Sequence, residues 1–160
     1  MKRNSFRSAR NAIESIMKKL LIISPEYPFP RKCGFTVRLA DMCENLSDVV
    51  ELHIYVIGCR PNVLENIGIF KSIEFCPISR RLSFIGEMAS RAYRRIINPY
   101  FDSRTYVPDL VLKDIRRLYP RNTFDSVMVH TPSLTRCLKA FPDSVFKIID
   151  PHDIWYQKYL

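Results

Sequence analysis

The sequence of 160 residues is long enough for one domain with a hydrophobic core, and its 47% hydrophobic and 26% charged residues are typical of a globular chain. It has no apolar run near the roughly 18 residues of a membrane span, and the basic N-terminus precedes no signal-peptide core, so we expect a cytoplasmic protein. The net charge of +9 favours an anionic partner, which could be nucleic acid, a membrane surface or a phosphorylated substrate.

The N-terminal segment, residues 1–16, is predicted to be a disordered basic extension, with Met17 as the natural start. Residues 17–160 form the predicted domain. Residues 20–23 are a short apolar run that predicts a buried strand, and residues 24–34 are a loop with three prolines. Residues 35–46 follow as a helix whose apolar positions recur every three or four residues. Its predicted core-facing residues are Phe35, Leu39, Met42, Cys43 and Leu46.

Further strands are predicted at residues 49–57, 72–77, 124–130 and 145–150, and helices at residues 80–98, 108–119, 134–141 and 154–160. The apolar stripe of helix 108–119 is Val111, Ile115 and Leu118, and residues 131–133 are expected to form a turn and helix cap. Strands that alternate with helices predict an α/β fold, a parallel Rossmann-like sheet with helices on both faces.

Three polar loops should meet at one edge of this sheet, because ligands of such folds bind beyond the carboxyl ends of the strands. The loops are residues 24–34, 130–133 and 150–153. The chain contains neither GxGxxG nor GxxxxGK[ST], so neither the dinucleotide nor the Walker motif applies. In the first loop only Gly34 lets the backbone approach a ligand closely.

The five cysteines are widely spaced and form no CxxC, which argues against a disulfide framework. Cys43 and Cys137 lie on apolar helix faces and are expected in the core. No metal site or cofactor is expected, since the histidines are not paired with cysteines at ligand spacing. His53 lies inside the second strand and is interpreted as structural.

Three segments resemble GT-B glycosyltransferases of the family 4 type. KLLIISPEYPFPRKCGFTVRLADMCENLSDVVELHIYVIG is similar to their opening strand, loop, helix and second strand. FDSVMVHTPSL is similar to their fourth strand end, and KIIDPHDIWYQKYL to the segment that follows. The resemblance covers residues 18–160. It implies the N-terminal, acceptor-binding domain of a retaining enzyme whose C-terminal domain binds the nucleotide-sugar.

The resemblance also implies site residues. His130 matches the family's histidine near the reacting sugar, with a structural strand-end histidine as the alternative. Substrate-binding positions are implied at Cys33, Gly34, Phe35, Thr131, His152 and Asp153. Cys33 stands where the family usually has a first glycine. For Asp153 the alternative is a helix cap.

The expected function is therefore the acceptor-binding half of a retaining glycosyltransferase that acts on a glycan or lipid-linked acceptor. The chain has no pair of glutamates at E-x7-E spacing and stops inside a predicted helix, so we expect an incomplete domain that does not catalyse alone. Arg91, Arg94 and Arg95 share one face of helix 80–98 and are expected to contact an anionic surface, at the inner face of the plasma membrane.

The alternative function is a stand-alone Rossmann-like or flavodoxin-like binding or regulatory module with an anionic partner. A nucleic-acid partner is not expected, because no RNA- or DNA-binding motif with interleaved aromatic residues is present.

Overall fold

The computed structural model describes residues 17–58, 60–76, 109–120 and 123–151, and the fold is given for this part of the chain. In chain order its elements are β1 (Lys19–Ser24), α1 (Gly34–Leu46), β2 (Glu51–Val56), a 3₁₀ helix (Ile67–Ile69), β3 (Ser72–Phe75), α2 (Asp109–Leu118), β4 (Ser126–Val129), a 3₁₀ helix (Pro132–Ala140) and β5 (Phe146–Ile149).

The five strands form one parallel sheet in the order β3-β2-β1-β4-β5. The chain builds outward from β1 through β2 to β3, then returns to the other side of β1 to form β4 and β5. This reversal places a topological switch point between β1 and β4, where such sheets bind ligands. The predicted α/β, Rossmann-like parallel sheet is confirmed.

A hydrophobic core lies on each face of the sheet, and β1 contributes to both. Leu20 and Ile22 point to the face covered by α1, while Leu21 and Ile23 point to the face covered by α2 and the second 3₁₀ helix. Because both faces are covered, β1 is apolar at almost every position, as buried parallel strands are.

The buried face of α1 differs from the predicted one. Leu39 and Cys43 are fully buried as expected, but they are joined by Ala40 and by the polar Thr36. Thr36 is buried without penalty because its hydroxyl accepts hydrogen bonds from the backbone N–H groups of Lys32 (2.8 Å) and Cys33 (3.0 Å). Three predicted core residues are only partly buried: Phe35, Met42 and Leu46.

On the opposite face, Val111 and Ile115 of α2 are fully buried and Leu118 packs partly against the same core, which confirms the predicted stripe. Asp114 connects this helix to β2, since its carboxylate accepts a hydrogen bond from the Tyr55 hydroxyl at 2.7 Å. The same carboxylate accepts an N–H from Arg117 of the helix itself at 2.8 Å. Burial and the hydrogen bond to Asp114 raise the pKa of Tyr55. Cys137, like Cys43 on the other face, is confirmed as a core residue.

Several boundaries are shorter than predicted. The strand predicted at residues 49–57 spans Glu51–Val56, and Val49 is 63% exposed. Residues 134–141 were expected to be a helix; the segment is a 3₁₀ helix that begins at Pro132 and is capped by Thr131. The N-terminal extension, the helix predicted at 80–98 and the segment 154–160 lie outside the described residues.

No helix in the described part of the chain is long and apolar enough to cross a membrane.

Candidate functional site

His130 lies directly after β4, at the carboxyl edge of the sheet. Its backbone N–H donates to the carbonyl of Ile23 in β1 at 2.9 Å, which extends the sheet hydrogen bonds past the end of β4. The His130 side chain is fully buried, at 0% exposure. A buried imidazole is favourable only when its polar atoms have partners, so these partners define the site.

Asp150 is the partner of His130 on the neighbouring strand. Val129 is in register with Ile149, so His130 and Asp150 are adjacent where the two parallel strands end. The two side chains meet with His130 Nδ1 2.7 Å from Asp150 Oδ2. The other carboxylate oxygen, Oδ1, accepts an N–H from the half-exposed Arg38 of α1 at 2.6 Å.

The hydrogen-bond network assigns the His130 tautomer. A carboxylate that is paired with arginine is an acceptor, so Nδ1 of His130 carries the proton that it shares with Asp150. In the neutral ring Nε2 then holds the lone pair. Such an imidazole can accept a hydrogen bond or a proton from a hydroxyl group, while Asp150 keeps the ring in one orientation.

Phe35 packs on the ring of His130, with centroids 4.5 Å apart and an angle of 54° between the planes. This contact explains why Phe35 is only half-buried: it lies at the carboxyl edge of the sheet rather than over the strands. The sequence predicted both a core and a substrate role for Phe35, and the structure places the residue beside the imidazole instead of in the centre of the core.

The turn before α1 presents Cys33 and Gly34. Cys33 is the exposed N-cap residue of α1, with the extended angles φ −150° and ψ 170° that any residue adopts. Hydrogen bonds from the backbone N–H and the hydroxyl of Thr36 lower the pKa of the Cys33 thiol. A Cβ added at Gly34 would meet no protein atom within 4 Å, so packing does not require a glycine there.

Thr131 has a local structural role, and its substrate contact stays a prediction. Its side chain accepts the backbone N–H of Ser133 at 3.1 Å and also hydrogen-bonds the Ser133 hydroxyl, which caps the second 3₁₀ helix. Since Thr131 directly follows His130, this cap fixes the chain direction just beyond the imidazole.

The structure thus brings together His130 and Phe35 of the predicted set, with Cys33 and Gly34 in the turn that leads to Phe35. The other predicted contacts lie outside the described residues: His152, Asp153, Arg91, Arg94 and Arg95. Among the residues that are described, no group of three or more His, Cys, Asp or Glu side chains could hold a metal ion.

Sequence reasoning missed Arg38 and did not single out Asp150. The position of Asp150 in the sequence could have indicated its contact with His130, because a residue at the end of a parallel strand is adjacent to the residue at the end of the neighbouring strand. The position of Arg38 gave no such indication, since it lies on the polar side of a helix and its partner is 112 residues away in sequence.

Comparison of the chain with family models, with curated proteins and with solved structures found no match.

Proposed function

We propose that the chain is the acceptor-binding half of a retaining GT-B glycosyltransferase, which moves a sugar from a nucleotide-sugar to a glycan or lipid-linked acceptor. The observation that carries the proposal is the buried His130–Asp150 hydrogen bond at the switch point of a parallel sheet. The resemblance of three segments to that family supports it further, because one of those segments contains His130 and another contains Asp150.

In the proposed reaction an acceptor hydroxyl forms a bond to the anomeric carbon of the donor, the nucleoside diphosphate leaves with the bonding electrons, and the hydroxyl proton passes to the leaving phosphate. Asp150 would fix the tautomer that makes Nε2 of His130 an acceptor. Because Nε2 is buried in the described structure, His130 would orient that hydroxyl only after a covering side chain moves. Arg38 places a positive charge beside Asp150 and donates a hydrogen bond to its Oδ1. The nucleotide-sugar would be held by a second domain across the cleft.

The test is a transfer assay. The chain is added to an extract of cells that produce it, which supplies the donor-binding domain that the proposal requires, and transfer of radiolabelled sugar from uridine and guanosine diphosphate donors to lipid and glycan fractions is measured. We expect a labelled product, and we expect His130→Ala to lower turnover at least tenfold while the unfolding midpoint changes little. Absence of transfer from every donor would overturn the proposal.

The net charge of +9 favours the second candidate, a binding module with an anionic partner. The same assay separates the two functions. A binding module would give salt-sensitive complexes with an anionic partner and no labelled product, because binding through basic residues weakens as salt screens the charges.

A further inference from the structure

A cavity lies at the carboxyl edge of the sheet, between the loops that follow β1 and β2. Its volume is about 680 Å³, within the usual range for small-molecule sites. Because β2 and β4 lie on opposite sides of β1, this cavity and His130 are on opposite sides of the loop that follows β1. We refer to it as the β1/β2 cavity.

The two walls of the β1/β2 cavity are fixed against each other. Gly58 approaches Pro25 so closely that an added Cβ would lie 2.2 Å from the Pro25 carbonyl oxygen. The hydroxyl of the buried Tyr27 donates to the carbonyl of Glu65 at 2.8 Å, which joins the first loop to the second. The cavity is therefore shaped by the protein before any ligand enters.

The charges around the β1/β2 cavity are balanced. Two cations, Lys32 and Arg60, and two carboxylates, Glu26 and Glu65, belong to its lining. Within the described residues none of the four has a salt-bridge partner, although Arg60 lies over the Phe75 ring at 5.7 Å. A ligand here meets both strong donors and strong acceptors.

We infer that the β1/β2 cavity binds a neutral saccharide. An anionic ligand would be opposed by the two carboxylates and a cationic ligand by the two cations. Sugar hydroxyls, in contrast, can donate hydrogen bonds to the carboxylates and accept hydrogen bonds from the cations. The amide of Asn62, also in the lining, offers a donor and an acceptor. The inference rests on the proposed function in taking the acceptor as a glycan, and adds that the sugar unit bound here is uncharged.

The test uses the full chain labelled with ¹⁵N and follows its amide signals by NMR. The probes are the methyl glycosides of glucose, mannose and galactose, each with its 6-phosphate and its 6-amino-6-deoxy analogue. We expect at least one neutral glycoside to shift the amides of residues 58–65, and both of its charged analogues to bind more weakly. Tighter binding of a charged analogue, or no shift with any probe, would overturn the inference.

Two variants locate the binding, and a neighbouring residue supplies the control. Lys32→Ala and Glu26→Gln should each weaken binding of the neutral glycoside about tenfold, the usual effect of losing a hydrogen bond to a charged group. Arg31→Ala should leave binding unchanged, since Arg31 pairs with Asp41 and Glu44 of α1 and does not line the cavity. Equal weakening by all three variants would overturn the inference.

The result is independent of the transfer assay. Binding of a neutral glycoside in the β1/β2 cavity without sugar transfer would remove the glycosyltransferase proposal and leave a saccharide-binding domain. Transfer without binding here would remove this inference alone.

Discussion

Asp150 divides its two carboxylate oxygens between a buried imidazole and a half-exposed guanidinium. This arrangement offsets part of the cost of burying His130 and the carboxylate, because Nδ1 of His130 and both carboxylate oxygens of Asp150 gain charge-assisted hydrogen bonds. The same arrangement connects three elements, since Arg38 belongs to α1, His130 follows β4 and Asp150 follows β5.

Asp150→Asn should therefore destabilise the fold and disturb the ring of His130. An asparagine can present its oxygen to only one of the two partners, and its amide N–H groups would face the other donor. We expect a loss of about 1–3 kcal/mol in the free energy of unfolding, measured by urea titration. The ¹⁵N signals of the His130 ring should also lose the pattern of the single Nδ1–H tautomer.

Asp143→Asn is the matched control, because Asp143 pairs with Lys147 on the surface and its side chain is fully exposed. It should leave both the unfolding curve and the His130 signals unchanged. An equal response of the two variants would show that Asp150 has no special role.

Cys33 should be the most reactive of the described thiols. Its pKa is lowered by the hydrogen bonds from Thr36, whereas burial raises the pKa of Cys43 and of Cys137 to about 12. Since the thiolate is the nucleophile, iodoacetamide at pH 7.5 should alkylate Cys33 first and leave the three buried cysteines of the described residues, Cys43, Cys76 and Cys137, unmodified until the protein unfolds. Peptide mapping by mass spectrometry measures the order.

Thr36→Val provides the comparison, because valine keeps the shape of the side chain but removes its hydroxyl. Alkylation of Cys33 should slow as its pKa rises. If the rate is unchanged, the hydroxyl of Thr36 does not influence the thiol.

At the scale of elements, the pattern of apolar residues predicted the five strands and the helices α1 and α2 well, since each strand is a short run bounded by polar or proline-containing loops. It could not predict which residues of α1 face the core. Thr36 can be buried because its hydroxyl accepts hydrogen bonds from two backbone N–H groups of the turn before the helix. Phe35 packs on the ring of His130 instead of lying in the centre of the core. Both contacts depend on tertiary structure.

The strand β5 forms one edge of the described sheet, and its apolar side chains are poorly covered. Phe146 is 69% exposed and Ile149 is 47% exposed. An exposed apolar edge strand favours pairing with another chain. We expect the protein to self-associate at high concentration and expect Ile149→Lys to shift it towards the monomer in sedimentation velocity experiments.

Leu110→Lys is the control for this edge, because Leu110 is also an exposed apolar residue but lies on α2, away from the strand. It should not change self-association. Monomeric wild-type protein at all concentrations would contradict the expectation.

The helix predicted at residues 80–98 supports a separate expectation about membranes. Each basic residue near an anionic leaflet contributes about 1 kcal/mol to binding, and Arg91, Arg94 and Arg95 share one predicted face. The protein should sediment with anionic vesicles at low salt, and replacing the three arginines by glutamate should reduce this. Neutral vesicles and high salt are the controls; equal sedimentation of wild type and variant removes the expectation.

At the scale of the whole molecule, both candidate sites lie on one edge because every strand of the described sheet runs in the same direction. His130 lies at the switch point and the β1/β2 cavity lies beside it, with the loop after β1 between them. A glycan that occupied the cavity could extend past this loop towards His130. Two of the loops that were predicted to converge meet in the contact between His130 and Asp150. The balanced charges of the cavity depend on residues from two loops and had no pattern in the sequence.

This arrangement predicts that the chain alone does not bind nucleotide-sugars. Tight diphosphate binding at the edge of such a sheet needs backbone N–H groups close to the phosphates, and the first position of the turn carries the side chain of Cys33 instead of a glycine. The β1/β2 cavity adds no net positive charge, since its two cations are matched by two carboxylates. Transfer also requires donor and acceptor to be held together, and orientation supplies much of the rate. Calorimetry with uridine and guanosine diphosphate sugars should therefore show no measurable heat of binding, while neutral glycosides still shift the amides of residues 58–65. A micromolar dissociation constant for any nucleotide-sugar, measured on a monodisperse sample, would contradict the assignment of the donor to a second domain.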